Sequence, residues 1–133
     1  MNLDDILAVS GESDLFKVFT NKQNGLVLQN MRTGMRKFYP SRRYNFMPLV
    51  TVAIYTEDDS LPLDKVFQRM LDMQSDFPTI PASAKDADLK AYFAEVIPEY
   101  DRDRVYPRDM KKVIQWFTFL SKQDVFKSVE EEE

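Results

Sequence analysis

The spacing of apolar and polar positions changes once along the chain, near residues 56–60. Before that point apolar residues come in short runs separated by turn chemistry. Leu15 to Thr20 and Leu26 to Asn30 are two such runs, and Asn21-Lys22-Gln23-Asn24-Gly25 between them contains an Asn-Gly pair that tolerates the positive φ of a hairpin turn. A second break at Arg32-Thr33-Gly34 leads to Met35 to Tyr39, so the pattern predicts three short strands in a meander. Leu49 to Tyr55 reads as a further strand, with Val50, Val52 and Ile54 on one face and Thr51, Ala53 and Tyr55 on the other. Leu3 to Val9, ended by Ser10-Gly11, suits one helical turn or a short strand equally. Several short strands within residues 1–57 must hide their edges, which a small bent sheet or closed barrel does most economically. The expected shape, by analogy, is an SH3-like or Tudor-like β-barrel.

Beyond Thr56-Glu57-Asp58-Asp59-Ser60 the period becomes helical. Pro62 suits a first turn, and Leu63, Val66, Phe67, Met70 and Leu71 follow on one face, ending near Gln74. Pro78 and Pro81 force an extended connection. A second helix is predicted from about Lys85 to Ile97, stopped by Pro98, and a third from Pro107 through Leu120. The apolar arc spans roughly 140° in the second helix and about 220° in the third, so the third is expected to bury two sides. The predicted class is α+β: a small barrel over residues 1–57, a three-helix unit over 60–126, and an acidic tail over 127–133.

Length modifies this picture. At 133 residues the chain buries roughly two-thirds of its unfolded surface if it packs as one body, whereas an isolated 60-residue piece is marginal. The halves are therefore expected to lean on each other or on a second copy. There is no run of 18 apolar residues, and Met1-Asn2-Leu3-Asp4-Asp5 lacks the features of a signal peptide. With no cysteine to form disulfides, the expectation is a cytoplasmic protein without a membrane span. Charge is uneven: residues 1–57 carry seven Lys or Arg against five Asp or Glu, and residues 58–133 eleven against seventeen. Four of those acids form the run Glu130 to Glu133, a solvated tail.

The chain contains no histidine and no cysteine, so the commonest general base, the thiol nucleophile and the usual zinc ligands are all missing. Three glycines, at 11, 25 and 34, make no phosphate-cradling loop. No catalytic residue, metal or cofactor is expected. Carboxylate chemistry at Asp101 and Asp103, in Tyr100-Asp101-Arg102-Asp103-Arg104-Val105-Tyr106, is weighed against a loop whose acids cap helix ends and pair locally; the structural reading is favoured. Trp116, Phe117 and Phe119 read as core rather than as a ligand platform.

The segment of residues 32–46 stands out. Arg32, Arg36, Lys37, Arg42 and Arg43 alternate with Phe38, Tyr39, Tyr44 and Phe46, with no acid among them. Cations beside aromatics suit nucleic acid, with Arg36, Lys37, Arg42 and Arg43 on phosphates and Tyr39 and Tyr44 stacking on bases. A strand with one buried and one basic solvated face gives the same composition. The favoured function is thus a non-enzymatic binding or adaptor protein of unspecified ligand with this segment as its contact surface, and nucleic-acid binding is the first specific hypothesis, weighed against a merely charged, solvated surface. The alternative is protein–protein association, including homo-oligomerisation, through the third helix.

The segments Asp4-Asp5-Ile6-Leu7-Ala8-Val9-Ser10-Gly11, Val52-Ala53-Ile54-Tyr55-Thr56 and Tyr100 to Tyr106 carry a resemblance to an uncharacterised bacterial family. That family has a small barrel-like amino-terminal domain of unknown function and a helical carboxy-terminal domain. The resemblance implies the two-part architecture over nearly the whole chain. It implies no activity and no site residue.

Overall fold

Short apolar runs separated by turns in the first part of the chain form a five-stranded antiparallel sheet. In the computed structural model, which describes residues 3–123, its strands are β1 (Ile6–Val9), β2 (Leu15–Lys22), β3 (Gly25–Asn30), β4 (Arg36–Pro40) and β5 (Phe46–Pro48). The spatial order is β4-β3-β2-β1-β5. One sheet face buries Leu7, Val9, Phe16, Leu28 and Tyr39 as a cluster, with Leu26, Tyr44 and Phe46 packed against it. The ambiguous segment at Leu3 is resolved as a turn leading into β1, which pairs on both sides, Leu7 lying opposite Phe16 on β2 and Pro48 on β5.

The expected closed barrel is corrected to an open sheet, in which β4 and β5 are edge strands that do not pair with each other. Their chemistry opposes a further ladder: β4 ends in Pro40 and the three-residue β5 in Pro48, neither of which has an N–H to donate. The strand expected over Leu49 to Tyr55 is also divided. After Pro48 the chain makes a 3₁₀ turn at Leu49–Thr51, and only Ala53–Tyr55 is a strand, β6. It pairs with β7 (Ser60–Pro62) in a separate hairpin, Ile54 opposite Leu61. The apparent alternation misled because Val50 is 55% exposed whereas Leu49 is fully buried.

Gly25 acts differently from the role its Asn-Gly context suggests. The two-residue turn is Gln23-Asn24, closed by the Lys22–Gly25 pair, and positive φ occurs at Gly11 and Gly34 instead. Gly25 is needed for space: a Cβ there would run into the Tyr39 carbonyl oxygen and lie 2.9 Å from the Phe38 ring.

The chain falls into two compact units, one formed by residues 3–52 with 119–123, the other by Ala53–Thr118. In the second, α1 (Leu63–Asp72) buries Leu63, Val66, Phe67 and Met70, and α2 (Asp86–Val96) buries Leu89, Tyr92, Phe93 and Val96. These are the i, i+3, i+4, i+7 positions that share a helix face. Phe67 meets Phe117 of α3 (Pro107–Lys122) at 5.9 Å between ring centroids, and Phe93 lies edge-on to Tyr100. Arg69 of α1 donates two hydrogen bonds, at 2.7 and 2.8 Å, to the Glu99 carboxylate, while the Glu99 carbonyl accepts the Glu57 N–H. This fork joins α1 to the segment after α2, next to the bridge between Thr56 and Tyr100. The expected tail at 127–133 lies outside the described residues.

Gly25→Ala is expected to cost about 1–3 kcal/mol, the usual penalty of overpacking a closed site, seen as a lower midpoint in urea unfolding. A second expectation concerns pH. The Arg69 fork holds the Glu99 carboxyl below the usual glutamate range. A depressed carboxylate stabilises the fold above its unfolded pKa, and that contribution is lost as pH falls through the folded one. Partial exposure of both side chains keeps it within about 1 kcal/mol. Glu99→Gln should flatten the acid limb of thermal stability by that amount while leaving the limb above neutrality parallel to the parent's.

Candidate functional site

Strand parity decides which residues of the basic-aromatic segment reach solvent. Tyr39 faces the core and is 5% exposed, with its ring edge-on to Phe16 at 5.5 Å and to Tyr44 at 5.1 Å. Burial pushes its phenol pKa upward. A ring packed in this way has no free face for a base. Tyr44 is half-buried on the same cluster, and Lys37 places its ammonium 5.3 Å from the centre of the Tyr39 ring. Of the residues expected to stack, Tyr39 is therefore a core residue and Tyr44 its neighbour.

The opposite face of β2, β3 and β4 presents other aromatics. The register sets Lys17, Gln29 and Arg36 in one row across the three strands, and Thr20, Val27 and Phe38 in the next. Between Val18 and Thr20 the register shifts, so that Phe19 is an extra residue of β2. Phe19 is 51% exposed and Phe38 42% exposed. The Arg36 guanidinium lies over the Phe19 ring, 3.8 Å from its centroid, a cation–π stack that desolvates one side of each group. Lys17 and Lys22 are exposed on β2. Phe38 was visible in the segment but not singled out as a stacking residue. Phe19 lay outside it, and only the bulge, which period-2 counting does not reveal, turns it to this face.

The remaining cations differ in freedom. Arg32 is held by Asp14, its Nε donating at 3.0 Å and Nη2 at 2.8 Å, and Asp14 also accepts from the Asn30 carboxamide. These bonds hold the Asp14 carboxyl below its ordinary value. Asn30 in turn caps the β3–β4 turn by accepting the N–H groups of Arg32 and Thr33. Arg32 is thus a turn fastener. Arg42 and Arg43 are exposed in the turn after β4, which is pinned to the β2–β3 hairpin by the Ser41 N–H on the Asn24 carbonyl; no carboxylate pairs with them among the described residues.

The acidic cluster of the second unit is a folded loop. Asp101 accepts the N–H groups of Asp103 and Arg104 and pairs with the Arg104 side chain at 2.8 Å, which lowers its pKa. Arg102 donates to the Pro98 and Tyr100 carbonyls and stacks on Tyr100, and Arg104 stacks on Tyr55. Both carboxylate oxygens of Asp101 are engaged in holding the loop. Trp116 and Phe117 are buried and Phe119 half-buried. Among the described residues no helix is long and apolar enough to cross a membrane.

Two family models match consecutive parts of the chain. Residues 3–49 match a domain of unknown function, DUF5606, and residues 52–120 match a domain of unknown function, DUF6852. The change from one to the other falls where the polypeptide passes from the first compact unit to the second. A solution NMR structure of a structural-genomics target from Bacteroides vulgatus is similar, with a TM-score of 0.72 and 31% identity over 93% of this chain and 89% of that one. No curated protein matches. The chain belongs to the family defined by the DUF6852 domain, here carried behind a DUF5606 domain, as a bacterial family of unknown function with a β-rich first part and a helical second.

Proposed function

We propose that this is a non-enzymatic binding protein whose first unit takes single-stranded nucleic acid across the outward face of β2, β3 and β4. The observation that carries the reading is the pair of exposed rings, Phe19 and Phe38, on one sheet face with Arg36 stacked beside them. Exposed phenylalanine on a solvated sheet leaves apolar area in water, and a base covering it recovers about 1–3 kcal/mol. Unpaired bases can present their faces in this way, whereas those in a duplex are already stacked. Cations flank the rings at both ends. Lys17 and Arg36 stand in the row on one side, and Lys22, Arg42 and Arg43 gather at the hairpin end on the other. A strand running between them meets phosphate contacts before and after its stacked bases.

Association through α3 has less support. Met110, Val113, Ile114, Trp116, Phe117 and Leu120 are already buried in the single chain. The enzymatic reading loses support from the absence of histidine and cysteine and from the engagement of Asp101.

Fluorescence anisotropy with labelled single-stranded and duplex oligonucleotides at low salt tests the proposal. Single strands should bind, more weakly as salt rises, and duplexes poorly. Phe19→Ala should cost about 1–3 kcal/mol of binding with little change in melting temperature. Replacing Arg42 and Arg43 by Glu should reduce the salt slope, since each phosphate contact contributes about 0.7 to it for single strands. No binding, or binding indifferent to both changes, would sink the reading.

A further inference from the structure

Beside the aromatic face the first unit has a pocket of about 340 Å³, lined by Lys17, Gln29, Asn30, Met31, Gly34 and Gln123. That volume is near the lower bound of the roughly 300–1,000 Å³ usual for small-molecule sites. The pocket is continuous with the proposed stacking surface: Gln29 lies on β3 directly between Lys17 of β2 and Arg36 of β4, and Arg36 covers Phe19. Among the described residues, half of its lining is uncharged polar side chains, Gln29, Asn30 and Gln123. The Asn30 side chain is committed to Asp14 and to the β3–β4 turn, so it shapes the wall without offering a contact. The Gln29 and Gln123 carboxamides are half-buried and have no hydrogen-bond partner among the described residues. Met31 supplies a soft apolar surface, and Gly34, with φ of 78°, keeps the rim free of a side chain.

A carboxamide offers one donor and one acceptor in a plane, which matches the adjacent donor and acceptor edge of a purine; glutamine on adenine N6 and N7 is the familiar instance. Together with a thioether against the ring face and a lysine for the neighbouring phosphate, this is a recognition set for one nucleotide. Resting on the nucleic-acid reading above, we infer that this pocket receives a purine base, adenine in particular, of the strand that crosses the Phe19–Phe38 face. The outward face then supplies affinity and the pocket supplies base preference. Gln29 and Gln123 are the groups that read the base.

The experiment compares oligo(dA) with oligo(dT) of equal length by anisotropy, using the full chain. Oligo(dA) should bind at least about fivefold more tightly, the lower end of what one bidentate amide contact discriminates. Gln29→Ala and Gln123→Ala should each erase that preference while leaving oligo(dT) affinity unchanged. Gln29→Glu, of the same size but without the donor, provides a second check and should lower oligo(dA) binding below that of the alanine variant. Equal affinity for the two oligonucleotides, or a preference that survives Gln29→Ala as purine stacking alone would, overturns the pocket and leaves the sheet face standing. Failure to bind either oligonucleotide overturns both.

Discussion

The burial of Tyr39 is the constraint from which the candidate surface follows. Its ring is enclosed by Phe16 and Tyr44, and each edge-on contact adds about 0.5–1.5 kcal/mol to the apolar area removed from water. Because side chains alternate across a strand, placing Tyr39 inward commits Phe38 to the other side, and the β3–β4 register sends Arg36 there as well. A slip of one residue would turn Tyr39 out to solvent and put Phe38 or Pro40 in its place, losing the edge-on contacts with Phe16 and Tyr44. The exposed phenylalanine and the arginine beside it are therefore by-products of a packing decision made on the opposite face.

The same strand constrains its neighbour. β4 runs so close to the start of β3 that Gly25 has no room for a side chain: a Cβ would run into the Tyr39 carbonyl oxygen and press on the edge of the Phe38 ring. An aromatic lying over a cross-strand glycine shields backbone that would otherwise face water. This contact fixes Phe38 in place, although 42% of its surface remains exposed. A ring held by its edge and open on one side is pre-organised for stacking, because little rotamer freedom remains to be lost when a base arrives. Phe19 reaches a similar condition by another route, held by the Arg36 guanidinium instead of by a glycine.

Much of the second unit was legible in the sequence, because helical spacing and proline punctuation are local signals. Leu63, Val66, Phe67 and Met70 mark α1, Pro98 follows α2, and Pro107 opens α3. Strands β2, β3 and β4 were legible too, but not the short β5 and β7, the closure of the sheet or the faces of its residues. Whether β4 and β5 meet depends on pairing between distant segments, and the prolines that end them speak against it only once the strand ends are known. Val50 and Ile54 share a parity in sequence yet belong to a turn and to a separate hairpin, since Pro48 interrupts the strand before the pattern is complete. Basic and aromatic composition drew attention to residues 32–46. It chose Tyr39 over Phe38 because composition carries no information about facing, and it included Arg32, whose charge is taken up by Asp14, eighteen residues away.

Net charge then has to be reconciled with the polyanionic ligand proposed above. The chain as a whole is acidic, at −4, and a uniformly spread charge of that sign would repel a phosphate backbone. Screening makes the sum a poor guide, however, since exposed charges act over only about 10 Å at 0.1 M salt. What a strand on the outward face meets is Lys17, Lys22 and Arg36, with Arg42 and Arg43 at the hairpin end, and among the described residues these two arginines carry no carboxylate partner. The nearest acid in sequence to that β2 face, Asp14, is neutralised by Arg32. Pairing Arg32 with Asp14 thus does more than fasten a turn: it removes a negative charge from the margin of the sheet at the expense of one cation of the segment. On the proposed reading, affinity built on so few phosphate contacts would be modest and salt-sensitive, and stacking on Phe19 and Phe38 would be the term that holds a strand in place once the electrostatics had brought it there.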